Sequence, residues 1–294
     1  MNKLITVFTP TYNRAYCLHQ VYDSLCTQTS QNFVWLIVDD GSSDDTSKLV
    51  DRWVASDKIK IQYVHQENQG MHGGHNTAYE HVGTELNVCC DSDDFLPNNA
   101  IEIIESKWTQ VSDFQNVAGM VGLDVFKTGK VVGSSFPERL EFSTLQDIYH
   151  VHKCTGDKKL VLRTDVVKKY PKYPLFAGER FVPLDVLYQR IDQDYTLACI
   201  NEPLCVVEYL EDGSTLNIFK QYRRHPKGFR YSRSIELKYA NGSKQIIKKL
   251  LHLISSTLFI GDFKFFKDNP YKLLTALFLP VGIIFHIYVM WKAS

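Results

Sequence analysis

LNVCCDSDD, residues 86–94, places three carboxylates within four residues directly after an apolar run. The run has no polar alternation, which is typical of a strand covered on both faces in a parallel sheet. Like charges this close together raise the free energy of the fold unless a cation offsets them. Hard divalent cations prefer oxygen ligands, so Asp91, Asp93 and Asp94 predict a site for Mn²⁺ or Mg²⁺. The alternative is a solvated turn that caps the following helix.

Apolar runs of strand length alternate with helical stretches over the first hundred residues. The predicted strands are Ile5–Phe8, Trp35–Val38, Ile59–Val64 and Leu86–Cys90. This alternation indicates βαβ crossovers, and hence an α/β fold with a mainly parallel, Rossmann-like sheet flanked by helices. Ligands bind beyond the carboxyl ends of the strands in such sheets. We therefore expect three polar clusters that are distant in sequence to meet at one edge: Thr9–Arg14, Asp39-Asp40 and Asp91–Asp94.

Three motifs carry a resemblance to a known family: TVFTPTYNRAYCLHQVYDSLCTQT (residues 6–29), VDDGSSDDT (38–46) and CCDSDD (89–94). In this order and spacing they resemble the family 2 nucleotide-sugar glycosyltransferases, which have the GT-A fold. The match covers residues 1–125. It continues more weakly through GDKKLVLRTDVVKKYP and FAGERFVPLD, which resemble the acceptor-side half of bacterial surface-polysaccharide members.

The resemblance implies inverting transfer of a sugar from a nucleotide-sugar, most commonly a UDP-sugar, to a saccharide acceptor. Asp39 and Asp40 correspond to carboxylates that bind uracil or support the nucleotide pocket. The loop that lies against the nucleotide corresponds to Thr9, Pro10, Tyr12 and Arg14.

The acidic turn corresponds to the DxD motif of the family. In this match, Asp91 and Ser92 contact the ribose or sugar of the donor. Asp93 coordinates Mn²⁺ or Mg²⁺ together with Asp91, and Asp94 assists.

Two positions depart from the family pattern. Where many members carry Ala-Arg-Asn, residues 74–76 read Gly-His-Asn, so His75 replaces the cation expected near the nucleotide. Inversion needs one base that removes the acceptor proton. The resemblance gives Glu179 as the first candidate and Asp185 as the second, with Arg180 standing where many relatives have aspartate.

The last third of the chain is basic and then apolar. Residues 220–249 contain ten Lys and Arg against one acidic residue. Ile246–Phe266 is amphipathic at helical spacing, and Leu273–Trp291 carries no formal charge over nineteen residues, which is long enough to cross most of a bilayer core. We predict a membrane-associated tail over 220–294, after a donor-binding half (1–125) and an acceptor-side half (126–219). An interfacial helix, a true span and a helix pair packed on the soluble domain or on a second subunit all stay open, as does a homo-oligomer.

Composition and the motifs that are missing limit the cellular location and the alternative functions. The seven cysteines include no CxxC pair and no signal peptide is apparent, so we expect a reducing compartment and a catalytic part at the cytoplasmic face of a bacterial membrane. The acceptor would then be a saccharide on a polyprenyl-diphosphate carrier. No nucleic-acid motif accompanies the basic stretch, and a dehydrogenase would need GxGxxG. A nucleotidyltransferase and a non-catalytic, membrane-bound nucleotide-sugar-binding scaffold are the alternatives.

Overall fold

The computed structural model describes residues 3–208, 218–240, 242–262 and 269–294. The chain divides into two compact units. The first is Met1–Lys172 with Arg190–Glu208, and the second is Tyr173–Gln189 with Tyr209–Ser294. The predicted segments 1–125, 126–219 and 220–294 were drawn by role, which this division by contacts does not test. Residues 209–217 and 263–266, which belong to predicted segments, lie outside the described residues.

Eight strands form one sheet in the first unit, in the order β3-β2-β1-β4-β7-β5-β8-β6. Their bounds are β1 (Ile5–Thr11), β2 (Phe33–Asp39), β3 (Ile61–His65), β4 (Leu86–Cys89), β5 (Val117–Val125), β6 (Phe142–Ser143), β7 (Lys158–Arg163) and β8 (Thr196–Val206).

The first four strands pair in parallel, as predicted. The second half is mixed, because β7 runs antiparallel to both β4 and β5 while β8 pairs in parallel with β5. The prediction of an α/β fold with a Rossmann-like sheet and flanking helices is thus confirmed, with β7 and β6 adding antiparallel pairs that the motif spacing did not reveal.

Helices cover both faces of this sheet. The first unit contains α1 (His19–Cys26), α2 (Thr46–Ser56), α3 (Met71–His81), α4 (Ala100–Val111), α5 (Leu145–His150) and α6 (Thr164–Val167), and α7 (Asp185–Ile191) follows.

Burial on both faces explains why the central strands lack alternation. Trp35 and Ile37 pack in a core cluster with side chains of α1, α2 and α4. Leu36 and Val38, which point to the opposite face, pack with Ala78 of α3. Each such fully buried apolar side chain contributes about 1.5–3 kcal/mol relative to an exposed one.

The described residues of the second unit from 218 onward are mostly helical, whereas residues 173–184 are irregular. Its helices are α8 (Ile218–Arg224), α9 (Pro226–Lys238), α10 (Ser243–Ile260) and α11 (Lys272–Lys292). The predicted amphipathic helix is found as α10. The uncharged run lies in α11, which continues through Pro280.

Candidate active site

The carboxyl ends of β1, β2 and β4 lie at one edge of the sheet. In the parallel register Thr11 pairs with Asp39, and Phe8 pairs with Cys89. The backbone N–H of Asp40 then donates to Thr11 O at 2.8 Å, and that of Cys90 donates to Phe8 O at 2.9 Å. The three polar clusters predicted to converge therefore follow strands that end side by side.

The end of β1 and the loop after it contain both buried and exposed side chains. Thr9 is fully buried, and its Oγ1 accepts a hydrogen bond from Trp35 Nε1 at 3.0 Å. Pro10 packs against α3, where a Cβ added at Gly74 would lie 3.0 Å from Pro10 Cβ. Thr9 and Pro10 thus shape the loop through packing. Tyr12, by contrast, is 49% exposed.

Asn13 joins this loop to the loop after β2. Its Oδ1 accepts from Ser43 N–H at 2.8 Å, and its own N–H donates to Ser42 Oγ at 2.9 Å. Its φ of 53° is in the left-handed region, which asparagine tolerates better than most residues. Arg14 beside it contacts the ring and hydroxyl of Tyr16. Asn13 therefore sets the position of Tyr12 and Arg14, although sequence reasoning gave it no role.

Asp39 and Asp40 are both buried, and their carboxylates accept hydrogen bonds from neighbouring segments. Asp39 Oδ1 accepts from Ser42 N–H at 2.8 Å, and Oδ2 accepts from the Tyr63 hydroxyl at 2.6 Å. Asp40 Oδ1 accepts from Gln69 N–H at 2.8 Å, and Oδ2 accepts from Gly70 N–H at 2.7 Å. Asp40 thereby holds the loop that leads into α3. Of the two roles expected for this pair, binding uracil and supporting the nucleotide pocket, these contacts are of the second kind.

The acidic turn after β4 is anchored through Asp94. The Asp94 carboxylate is 7% exposed and accepts from Glu208 N–H at 3.3 Å and from the Cys205 thiol at 3.8 Å. Burial, with the nearby charges of Asp91 and Asp93, raises the pKa of Asp94 to about 7 against the effect of Lys159. Ser92 is also buried, whereas Asp91 is exposed and Asp93 partly exposed. Asp91 and Asp93 are therefore the carboxylates of this turn that an incoming ligand reaches.

A partly buried lysine interacts with the carboxylates of the turn and was missed by sequence reasoning. Lys159 is on β7, between β4 and β5, and its cross-strand partner Gly122 is two residues from Asp124. Burial lowers the pKa of Lys159, but Cys205 and the carboxylates of Asp124, Asp94 and Asp91 outweigh it and hold that pKa well above its usual value.

Asp124 completes the buried charge cluster. It is 3% exposed, and within the described part of the chain its Oδ1 has no hydrogen-bond partner. Burial raises the pKa of Asp124, and the positive charge of Lys159 opposes that shift. The consecutive pair Lys158-Lys159 was the available signal, because neighbouring side chains of a strand point to opposite faces and one of the two must point inward.

His75, which stands where many family members have a cation, is buried beneath the loop. The residue is 1% exposed, its Nδ1–H donates a hydrogen bond to Met71 O at 3.0 Å, and the ring packs edge-on against Phe8 at 5.2 Å between centroids. Burial lowers the pKa of His75, so the ring is neutral near pH 7. The cationic group close to the acidic turn is Lys159.

The acidic turn fits a cation held by few protein ligands. Among the described residues, no three His, Cys, Asp or Glu side chains are arranged to hold a metal. Mg²⁺ and similar ions commonly use one or two carboxylates and complete their shell with phosphate oxygens and water. Asp91 and Asp93, the two carboxylates of this turn that are open to solvent, provide that number of oxygen ligands.

The two candidate bases belong to the second unit. Glu179 is 7% exposed, and its carboxylate accepts from the backbone N–H groups of Lys227 and Gly228, at 2.9 Å each. It therefore caps the N-terminus of α9, where a negative charge is favourable.

Asp185 begins α7 and is held by uncharged donors. Its Oδ2 accepts from Gln189 Nε2 at 2.8 Å, and Oδ1 accepts from Ser232 Oγ at 3.5 Å. Burial, followed by the charge of Glu236, raises the pKa of Asp185 to about 6, while Arg233 opposes the shift. Such a value suits a group that exchanges protons near neutral pH.

An open α/β sheet with acidic turns after β2 and β4 and a polar loop after β1, all at one edge, is the arrangement expected of a GT-A-type glycosyltransferase fold. Residues 6–136 match the family model described as Glycosyl transferase family 2. The chain therefore carries a glycosyltransferase family 2 domain, and the resemblance drawn from the three motifs is confirmed.

Similar proteins agree with this assignment. Glycosyltransferase GlyA of Streptococcus pneumoniae is 26% identical over 185 residues, which are 60% of this chain and 25% of that protein, so the chain spans about a quarter of its relative. The Staphylococcus aureus TarS fragment 1–349, solved with UDP-GlcNAc, superposes with a TM-score of 0.60 at 17% identity, over 87% of this chain and 72% of that one. The mannosyltransferase PcManGT of Pyrobaculum calidifontis, solved with GDP-Man and Mn²⁺, gives a TM-score of 0.56 at 17% identity, over 100% and 84%. At these identities the two structures establish the fold alone.

Proposed function

We propose that this chain is an inverting glycosyltransferase that moves a sugar from a UDP-sugar onto a saccharide acceptor. One observation carries the proposal: polar clusters from three distant motifs, two of them acidic, lie at the ends of strands that finish at the same edge of a family 2 domain. The UDP-GlcNAc and GDP-Man complexes of the two similar folds support a nucleotide-sugar donor. The preference for uridine comes from the motif resemblance.

Asp93 and Asp91 are the residues that would hold Mn²⁺ or Mg²⁺ in this proposal. When bound, the cation supplies Lewis-acid stabilisation of the charge that builds on the departing diphosphate. The side chains of Tyr12 and Arg14 lie on the loop tied to Ser42 and would line the nucleotide. Lys159 offsets the buried carboxylates, so the turn keeps its shape before the donor binds.

The acceptor step needs one protein group. As the acceptor oxygen bonds to the anomeric carbon, the bond to the nucleoside diphosphate breaks and the base takes the hydroxyl proton. Glu179 is the proposed base and Asp185 is the second candidate. The Glu179 carboxylate is fixed by two N–H donors, and the proton would go to a lone pair that those donors leave free.

The acceptor in this proposal is a saccharide on a polyprenyl-diphosphate carrier at the cytoplasmic face of a bacterial membrane. The support is α11, a 21-residue helix that is long and apolar enough to cross a membrane. Only 17% of its most apolar 18-residue stretch is buried. A glycosyltransferase tethered by such a helix would meet lipid-linked acceptors at the membrane surface.

Nucleotide release from a panel of UDP- and GDP-sugars, with and without Mn²⁺ or Mg²⁺, tests the function. We expect release with at least one UDP-sugar, a loss of 100-fold or more in Asp93→Asn, and an unchanged rate in Asp113→Asn, a control at an exposed aspartate. Tight UDP binding without turnover of any donor would instead favour a nucleotide-sugar-binding scaffold.

The base assignment is tested in the same assay. Glu179→Gln should abolish transfer to acceptor while leaving UDP affinity within about threefold, because the base does not bind the nucleotide. The melting temperature of the variant is measured in parallel, since the amide also weakens the cap of α9. A large loss in Asp185→Asn with normal transfer by Glu179→Gln would move the role to Asp185.

A further inference from the structure

Helix α11 buries only a narrow stripe of its surface. Thr275, Gly282 and Val289 are buried, at intervals of seven residues, as expected for one seam against a neighbouring helix. The side chains on the rest of the circumference are exposed and mostly apolar. The most exposed of these are Leu273 (89%), Leu277 (72%), Ile284 (68%), Ile287 (55%) and Trp291 (68%).

The buried stripe of α11 packs on α10. A Cβ added at Gly282 would lie 2.6 Å from Ile254 Cγ2, so the two helices approach closely there. Further along, the rings of His286 and Phe259 meet at 4.3 Å between centroids. Near the start of α11, Leu274 packs with Leu250.

Helix α10 also packs on α9. Leu237 of α9 shares a cluster with Leu250 and Leu253. At the other end of α10, Arg230 of α9 donates to Asp262 O at 3.0 Å. Helix α9 therefore runs beside the C-terminal two-thirds of α10, from Lys249 to Asp262 just past its end, whereas α9 and α11 form no comparable contact among the described residues. The three helices are stacked as layers with α10 in the middle.

The layer farthest from the apolar surface is charged along its length. Glu236 is buried between Arg233 and Lys249 at one end, and Arg230 pairs with Asp262 at the other. If α11 crossed a bilayer, α9 and α10 would lie beside it at the same depth and these charges would enter the hydrocarbon. Charged groups at that depth are costly. A helix lying along the bilayer surface keeps them in water.

We infer that α11 lies in the plane of the membrane, with its exposed apolar face embedded in one leaflet, and does not cross the bilayer. In an isolated interfacial helix the polar face is part of the same helix. Here α10 covers that side instead, which explains why α11 is apolar nearly all round. Lys272 and Lys292 lie at the two ends of the helix, where their charges can reach the lipid headgroups. The basic residues at 220–249 favour binding to anionic lipid. The inference rests on the proposed membrane association and is independent of catalysis.

Liposome flotation of the full chain tests the surface. With vesicles of phosphatidylcholine and phosphatidylglycerol (about 7:3), wild type should float, and Leu277→Glu with Ile284→Glu should lower the bound fraction at least tenfold. The matched control places glutamates at Phe114 and Val151, which are equally exposed apolar residues of the first unit, and should float like wild type. A wild type that stays soluble, either alone or as a dimer that shields α11, would overturn both the inference and the proposed membrane association.

Topology reporters separate the in-plane helix from a span. Green fluorescent protein and alkaline phosphatase are fused after Ser294 in a Gram-negative host. The inference predicts a fluorescent membrane fraction and an inactive phosphatase, because the residues after α11 stay on the side of the preceding chain. Active phosphatase after α11 would overturn the in-plane helix while leaving membrane association and glycosyl transfer standing.

Discussion

Replacing Lys159 by methionine should destabilise the first unit, because the lysine carries the positive charge beneath the acidic turn. Its ammonium group faces the carboxylates of Asp91, Asp94 and Asp124, and the latter two are 7% and 3% exposed. Methionine has a similar volume, so packing changes little while the charge is lost. Three carboxylates then share a largely buried site without a counter-charge.

Removing one partner of a buried charge pair costs about 3–5 kcal/mol, because the other partner remains buried and uncompensated. We expect a loss near the lower figure, since Asp91 is exposed and can turn to solvent. In a unit of this size, 3 kcal/mol lowers the melting temperature by roughly 6–12 °C. Urea denaturation followed by tryptophan fluorescence measures the free energy, since Trp35, Trp53 and Trp108 all belong to this core.

A double-mutant cycle decides whether charge is the cause. Asp124→Asn removes one of the stranded carboxylates, so the double variant should recover at least 1 kcal/mol relative to Lys159→Met alone. Lys130→Met, at an exposed lysine, is the control and should change the free energy of unfolding by less than about 0.5 kcal/mol. A Lys159→Met variant as stable as wild type, or a cycle without coupling, would refute the role given to Lys159.

Three further predictions concern the scaffold around the site. Asp40→Ala removes the anchor of the loop before Gly70 and should cost about 2–4 kcal/mol, seen as a lower midpoint in urea, together with weaker UDP binding. Burial raises the pKa of Asp192 to about 6, so the folded state holds this proton more tightly than the unfolded state does. The stability of wild type relative to Asp192→Asn should therefore fall by roughly 3 kcal/mol as pH rises from about 4 to 6, and stay level above that. Urea titrations across this pH range measure the difference. Gly119→Ala would place a Cβ 2.1 Å from Val161 O at a φ of 142°, and should lower the melting temperature by 6 °C or more in a thermal scan, whereas Gly129→Ala, with open space around it, should cost far less.

The sheet edge was predictable because it follows from strand direction alone. Parallel strands end on the same side, so placing Asp39 and the acidic turn after two such strands was enough to bring them together. The absence of alternation in residues 35–38 likewise follows from helices on both faces. Both results depend on local pattern and on a general rule of topology.

The buried charges were not predictable in the same way. Strand β7 enters the sheet between β4 and β5, and no local pattern indicates that order. Without it, Lys159 reads as one of two surface lysines and Asp124 as the end of an apolar strand. His75 shows the same difficulty, because the motif match places it where many family members have a cation, and only the structure shows that the ring is buried against Phe8 with a lowered pKa.

The capping role of Glu179 also depends on a contact distant in sequence. Its partners at Lys227 and Gly228 lie 48 and 49 residues along the chain, beyond any spacing that a motif could reveal. Gly228 is required there by packing, since an added Cβ would lie 2.1 Å from Phe181 O. The motif resemblance identified the residue, and the structure identified what holds it.

Calorimetric titration of UDP into wild type and Asp93→Asn, each with and without Mn²⁺, tests most directly whether the acidic edge holds a cation and a diphosphate. We predict that Mn²⁺ tightens UDP binding to wild type at least tenfold and that Asp93→Asn, folded to the same melting temperature, loses this gain. UDP affinity that is the same with and without Mn²⁺, or that Asp93→Asn leaves unchanged, would contradict it.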